Sequence, residues 1–186
     1  MGRVPARRIK ITGISGSGKT TLARQLSVTL GVPWIELDAL HHGPDWTPAD
    51  PDDFRAEVLV LTDGPGWVVD GNYRTHLAGI IDDRVDLLVA LDLPRPVVLV
   101  QLLARTLRRM ATREELWNGN TERWRNLLCT DPEQNILLWA HVHFGAQRRR
   151  AREAERAWLS DRTGTPVVRL SSRAQTQRFV EHLAGL

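Results

Sequence analysis

The sequence predicts an α/β fold, a parallel β-sheet covered by helices, and three observations carry the prediction. Short apolar runs alternate with helically spaced segments along the whole chain, the pattern of βαβ units. The first run leads into a Gly-rich stretch, G-x-x-x-x-G-K-[ST], that opens a helix. The 186 residues, 42% hydrophobic, hold core enough for one domain and show no internal repeat or long linker. A single domain spanning 1–186 is therefore expected.

The elements follow in order. Arg8 to Ile14 read as a β-branched strand, and Leu22, Leu26 and Leu30 give the next segment helical spacing up to Gly31, a residue suited to end a helix. Trp34 to Leu37 form a second strand that ends at Asp38. Residues 39–51, rich in Pro, Gly, Asp and His, read as an irregular lobe. Asp53 to Leu61 read as helix, and Trp67 to Val69 form a strand before Asp70-Gly71. Val85 to Leu93 are the most apolar strand, and Pro94 or Pro96 starts a helix to about Arg109. Asp131-Pro132 opens a helix continuing to about Leu159. Pro166 to Leu170 make a last strand and Ala174 to Leu183 a closing helix.

Composition narrows the function classes. No run of 18 apolar residues exists, which excludes a membrane-spanning helix. The basic stretch Met1 to Arg8 flows straight into the first strand, so a cytoplasmic location is expected. The lone Cys129 has no partner for an internal disulfide and reads as a packing residue. The net charge is +3, and Lys10 and Lys19 are the only lysines among 25 basic residues. Arginine's planar fork suits phosphate oxygens. That excess fits either a nucleic-acid binder or an enzyme that clamps a polyphosphate.

The location of the arginines bears on that choice, and the Gly-rich stretch comes first. In Gly13-Ile14-Ser15-Gly16-Ser17-Gly18-Lys19-Thr20 the glycines let backbone N–H groups turn inward around phosphates, and the helix N-terminus adds a favourable dipole. Lys19 reaches the β- and γ-phosphates, and the Thr20 hydroxyl can ligate Mg²⁺. Gly13, Ser15, Gly16, Ser17, Gly18, Lys19, Thr20 and Thr21 are thus candidate nucleotide contacts, with ATP and Mg²⁺ the expected cofactors. An acid ending an apolar strand beside the phosphate loop is the usual organiser of Mg²⁺, so Asp70 is the second candidate metal residue; its alternative role is to form the turn before Gly71.

Arginines cluster where such a site needs them. Arg105 and Arg109, four apart, share a helix face, and Arg113 and Arg123 flank Glu114 to Asn120. Mobile arginines closing on a transferring phosphoryl group are effective catalysts, which makes Arg105, Arg109 and Arg123 catalytic candidates. The later run Arg148 to Arg156 carries Glu153 and Glu155 and reads as a solvated face.

The motifs GISGSGKTTLA, WIELDAL, WVVDGNY, LDLPRPVVL and REELWNGNTERW together resemble the adenylate-kinase-like small P-loop proteins, some of them labelled "topology modulation" proteins. The resemblance runs from Lys10 to about Trp124. It implies a P-loop three-layer sandwich with a five-stranded parallel sheet in the order 2-3-1-4-5, an acceptor-side lobe at about 39–62 and an Arg-bearing lid at about 105–130. It matches Arg105 to a phosphate-clamping arginine, although Gln101 stands where that family often has a second. It places Arg173, after the last strand, near the adenine.

The resemblance also points in two directions on the acceptor. Arg74 sits at the spacing of the arginine with which adenylate kinases grip a monophosphate; it can equally pair with a surface acid. Asp38 sits where similar kinases acting on hydroxyls, of the shikimate, gluconate and chloramphenicol types, carry a carboxylate; it can equally serve a turn or helix cap. An acceptor phosphate needs no base, whereas an alcohol must lose a proton. With His41, Trp46, Asn72 and Tyr73 as further acceptor-side candidates, the expectation is an ATP-dependent kinase of a hydroxyl on a small, nucleoside-like or antibiotic-like acceptor. A nucleoside monophosphate kinase and a non-catalytic, ATP-dependent regulator or nucleic-acid binder are the alternatives. The expected partners are therefore the nucleotide and a small acceptor, with neither nucleic acid nor membrane, as monomer or homodimer.

Overall fold

A computed structural model describes residues 6–73, 75–77, 79–132, 135–161 and 164–185. The strands are β1 (Arg8–Gly13), β2 (Trp34–Glu36), β3 (Trp67–Asp70), β4 (Leu87–Leu91) and β5 (Val167–Leu170). They pair in parallel in the order β2-β3-β1-β4-β5. The helices are α1 (Lys19–Leu30), α2 (Leu37–His41), α3 (Pro51–Leu61), α4 (Arg95–Thr112), α5 (Trp124–Leu128), α6 (Ile136–Asp161) and α7 (Arg173–Ala184), with 3₁₀ turns at Pro44–Trp46 and Trp117–Gly119.

Parallel strands need crossovers, and crossovers put helices on both faces of the sheet. All four residues of β3 are therefore buried. Successive side chains point to opposite faces. Val68 joins Ile9, Ile11, Leu22 and Leu26 in one core, while Trp67 and Val69 join Phe54, Val58 and Leu77 in the other. A third cluster, built from Ile14, Val98, Leu102, Ala140 and Phe144, fastens α4 and α6 over the β1 exit. Each such side chain contributes roughly 1.5–3 kcal/mol on burial.

Three segments depart from the sequence expectation. Residues 39–51 are not irregular throughout: α2 and the Pro44–Trp46 turn fill them, closed by Gly43 N donating to Thr47 O (2.7 Å) and Ala49 N to His41 O (2.8 Å). The following helix starts two residues early, at Pro51, because the Asp50 carboxylate accepts from the Asp52 and Asp53 amides. The helix expected from Asp131-Pro132 starts at Ile136 instead. There the Asn135 side-chain oxygen accepts from Leu137 N and Leu138 N, while its amide donates to Leu127 O and Cys129 O. Asn135 thereby caps α6 and ties it to α5.

Candidate active site

The phosphate loop leaves β1 at Gly13 and enters α1 at Lys19. Gly16 and Gly18 adopt φ of +84° and +94°, a region that side-chain-bearing residues rarely occupy. At Gly16 the space is also taken: a Cβ there would stand 2.7 Å from Leu102 Cβ and 2.9 Å from Val98 O. The loop is therefore pressed against α4, the helix that carries Arg105 and Arg109. Lys19 Nζ donates to Ile14 O (3.3 Å), folding the ammonium back over the loop. Burial lowers its pKa, and the charges of Asp38 and Asp70 oppose that shift.

Asp70 ends β3 almost fully buried, and its Oδ2 has no hydrogen-bond partner among the described residues. Burial pushes its pKa up against the pull of Lys19 and the Thr20 hydroxyl. An unpartnered buried carboxylate oxygen beside a threonine hydroxyl is a hard-oxygen donor set of the kind Mg²⁺ prefers. Thr20 and Asp70 thus fit the ion that a nucleotide triphosphate would bring.

Asp38 does not end the second strand as expected. β2 stops at Glu36 and Asp38 lies in the first turn of α2, half-buried. Tyr73 Oη donates to Asp38 Oδ1 at 2.8 Å and stands 3.4 Å from His42 Nε2. Burial and the Asp38 charge push the Tyr73 phenol far above its usual range, so it stays a donor. His41 is packed among Phe54, Tyr73 and His76 at centroid distances of 5.4, 4.6 and 5.6 Å. Burial lowers the pKa of both His41 and His42.

The other acceptor-side candidates separate. Trp46 faces the lid segment. Its backbone N–H donates to Asn120 Oδ1 (2.9 Å), and its ring lies 6.2 Å from that of Trp117, nearly perpendicular. Asn72 is a correction: its amide donates to Gly13 O (2.7 Å) while its oxygen accepts from Gly13 N (3.3 Å) and Gln147 Nε2 (3.2 Å). Both ends of that side chain are committed to the phosphate loop and α6, so it braces the loop rather than touching an acceptor. Arg74 lies outside the described residues.

Between the loop and the lid opens a cavity of ≈ 520 Å³, floored by Lys19, Thr20 and Glu36 and walled by Gln101, Arg105 and Trp117. That is a common size for a small-molecule site. Arg105 reaches it half-buried, with no carboxylate within ion-pair distance among the described residues, and burial lowers its pKa. Arg109 lines it too but pairs with Glu122 (3.1 Å) and Glu114 (3.5 Å). Arg123 stands exposed at the start of α5, and it is outside the cavity lining, as are Asp38 and Asp70. Arg173 opens α7. With its amide oriented to satisfy both neighbours, Gln101 donates to Gly16 O (2.8 Å) and accepts from Arg173 (2.7 Å).

Three positions at the candidate site escaped the sequence reading. Glu36 ends β2 in register with Asp70, and burial raises its pKa while the neighbouring Trp117 indole lowers it. The strand end WIE followed by LD was the available signal, two acids one residue apart. Asn118 and Asn120 clasp the lid to the lobe: their amides donate to His42 O (2.7 Å) and Gly43 O (2.9 Å).

Comparison with known proteins adds to this geometry. No family model and no curated protein matches the chain. Among solved structures it is similar to a shikimate kinase from Bacteroides thetaiotaomicron, at a TM-score of 0.51 and 18% identity over 96% of this chain and 97% of that one. A shikimate kinase from Acinetobacter baumannii in complex with shikimate also gives 0.51, at 16% identity over 97% and 94%. A gluconokinase from Sinorhizobium meliloti 1021 overlaps at 0.49, too little to weigh. The fold is that of the small P-loop kinases.

Proposed function

We propose that this protein is an ATP-dependent kinase that transfers the γ-phosphoryl group of ATP to a hydroxyl of a small acceptor. The observation that carries the reading is Asp38, a half-buried carboxylate with one oxygen held by Tyr73 and its charge acting on Lys19 of the phosphate loop. A carboxylate near enough to act on the charge of the phosphate-loop lysine can serve an alcohol as base and has no such task toward a phosphate.

In this reading the loop amides and Lys19 cradle the β- and γ-phosphates, and Thr20 and Asp70 hold Mg²⁺. Bound there, the ion would neutralise charge on the β- and γ-oxygens. Asp38 takes the proton of the acceptor hydroxyl as its oxygen bonds to the γ-phosphorus. The bond from that phosphorus to the β,γ-bridging oxygen breaks, and ADP leaves with the electron pair. Arg105 answers the charge on the equatorial oxygens. Arg109, bound to two acids, holds the lid rather than the phosphoryl group.

Asp38→Asn keeps the Tyr73 hydrogen bond and removes the base. It should cut turnover by about 10²–10⁴-fold while leaving ATP affinity intact. Full activity in that variant would sink the assignment. A panel of nucleosides, sugars and polyols against nucleoside monophosphates, read by ADP release, separates this kinase from the monophosphate alternative in which Arg74 grips the acceptor.

A further inference from the structure

Strand β3 stops pairing with β1 before β1 ends. Their register runs from Arg8 opposite Trp67 to Ile11 opposite Asp70, and Gly71 N then donates to Ile11 O at 3.4 Å. Gly13, the last residue of β1 and the first of the phosphate loop, is in register with Leu91 on one side, but the β3 ladder does not reach it on the other. The Asn72 side chain takes that place. Its Nδ2 donates to Gly13 O at 2.7 Å and its Oδ1 accepts from Gly13 N at 3.3 Å, which are the bonds a neighbouring strand would supply.

Those two bonds hold both peptide planes that flank Gly13. The second plane leads to Ile14, whose carbonyl accepts from Ser17 N (3.1 Å) and Lys19 Nζ (3.3 Å). No side chain at position 13 could do the same work, because a Cβ there would stand 2.6 Å from Ser17 Oγ and 3.1 Å from Leu91 Cβ. Asn72 is held in turn by α6, where Gln147 Nε2 donates to Asn72 Oδ1 at 3.2 Å. Phe144 and Arg148 lie on the same face of that helix, four residues apart. Phe144 packs with Ile14, and Arg148 pairs with Asp92 at 2.9 Å, so α6 is fixed beside the loop at three points.

Resting on the nucleotide half of the kinase reading, we infer that Gln147 is a positioning residue of the phosphate loop, acting through Asn72 on the peptides either side of Gly13. Asn72 Oδ1 receives two donors, Gly13 N and Gln147 Nε2, which together use its acceptor capacity and fix the plane of the amide. The terminal torsion of an asparagine is broad and soft. Without Gln147 the amide swings about it, and the Gly13 peptides lose their alignment. Backbone N–H groups recognise phosphate through that alignment, and a cradle already ordered loses no further freedom when the anion arrives. Gln147 itself is outside the cavity lining, so its effect on a nucleotide passes through Asn72.

Gln147→Met keeps the length of the side chain and removes its donor. Its affinity for a non-hydrolysable ATP analogue with Mg²⁺, measured by titration calorimetry, should fall by about 2–10-fold, the worth of one neutral hydrogen bond. Gln147→Glu sets a carboxylate oxygen against Asn72 Oδ1 and should weaken binding further. In the nucleotide-free Gln147→Met protein the Gly13 amide resonance should move in a proton–nitrogen correlation spectrum. Beside Asn72→Ala, the change Gln147→Met should have no further effect on affinity. A Gln147→Met loss that persists in full in that background overturns the role, and so does an unmoved Gly13 resonance, which decides the matter if Asn72→Ala does not fold. A lowered melting temperature with wild-type affinity would make Gln147 a residue of the fold alone and overturns the role as well. Wild-type protein that takes up no analogue would sink the kinase reading together with this role. Wild type and Gln147→Met binding equally well would sink this role only.

Discussion

Asp70 is held in the fold at a cost, which a bound Mg²⁺ in the proposed function would offset. Its carboxylate is buried, one oxygen lacks a hydrogen-bond partner among the described residues, and burial raises its pKa from the ordinary 3.8. As pH climbs through 3.8 the unfolded chain releases this proton first, while folded Asp70 holds it to a higher pH. Stability attributable to the residue therefore falls across that window, and it stays low once both states are ionised. Asp70→Asn should accordingly raise the melting temperature of the nucleotide-free protein at neutral pH, with the gain vanishing under acid conditions, and should abolish Mg²⁺-dependent ATP binding. A melting temperature that drops at pH 7 would contradict the account. The position of Asp70 at the end of β3 was legible because the sequence shows an acid closing an apolar strand. Asn72, two positions on, was not legible. Whether its amide turns to the acceptor or back to Gly13 depends on α6, which brings Gln147 across from 75 residues away.

Among the elements, the lid and the acceptor lobe behave as one clasp. Asn120 is buried and its side chain makes three hydrogen bonds, accepting from Trp46 N and donating to Gly43 O and Trp117 O. Each segment is a tight loop closed by its own bridge, His42 with Pro48 and Glu115 with Thr121. Asn120→Ala leaves buried groups on both loops unpaired, at about 1–3 kcal/mol. Hydrogen exchange should then show residues 42–48 and 115–121 losing protection together while the sheet keeps its own. Loss in the lid alone would break the idea of a shared clasp. The resemblance implied a lid and a lobe, and Pro/Gly content and charge mark the two segments in the sequence. The pairing between them is a contact between segments more than 70 residues apart, and no local pattern encodes it.

For the molecule as a whole, the arginine run on α6 changes meaning. Read along the chain it is a solvated face, yet Arg148 and Arg152 turn inward to Asp92 at 2.9 and 3.1 Å, and Arg169 of β5 joins them at 3.0 Å. The Asp92 side chain is 1% exposed while the arginines are 26–42% exposed. The cluster fastens the helix returning from the lid to the end of β4, beside the phosphate loop. Asp92→Ala should cost more than the ~1 kcal/mol of a surface pair and less than the ~3–5 kcal/mol of a fully buried one. Urea denaturation would measure it, and no change in midpoint would mean the arginines are satisfied by water. Topology fared better than this contact. The strand order was expected from the resemblance and the parallel sheet from the alternation of elements, whereas the depth of Asp92 emerges only when β4, β5 and α6 meet.

The right-angled pair of indoles at the clasp has a practical consequence. Trp46 belongs to the lobe and Trp117 to the lid, with ring centres 6.2 Å apart. Chromophores that close share their excited states, and the coupling decays with the cube of their separation. The protein thus carries its own optical ruler: an exciton couplet in circular dichroism while the two segments touch, which should collapse when they part. Opening of the site can be followed in real time with no label attached, and either tryptophan changed to phenylalanine should erase the couplet.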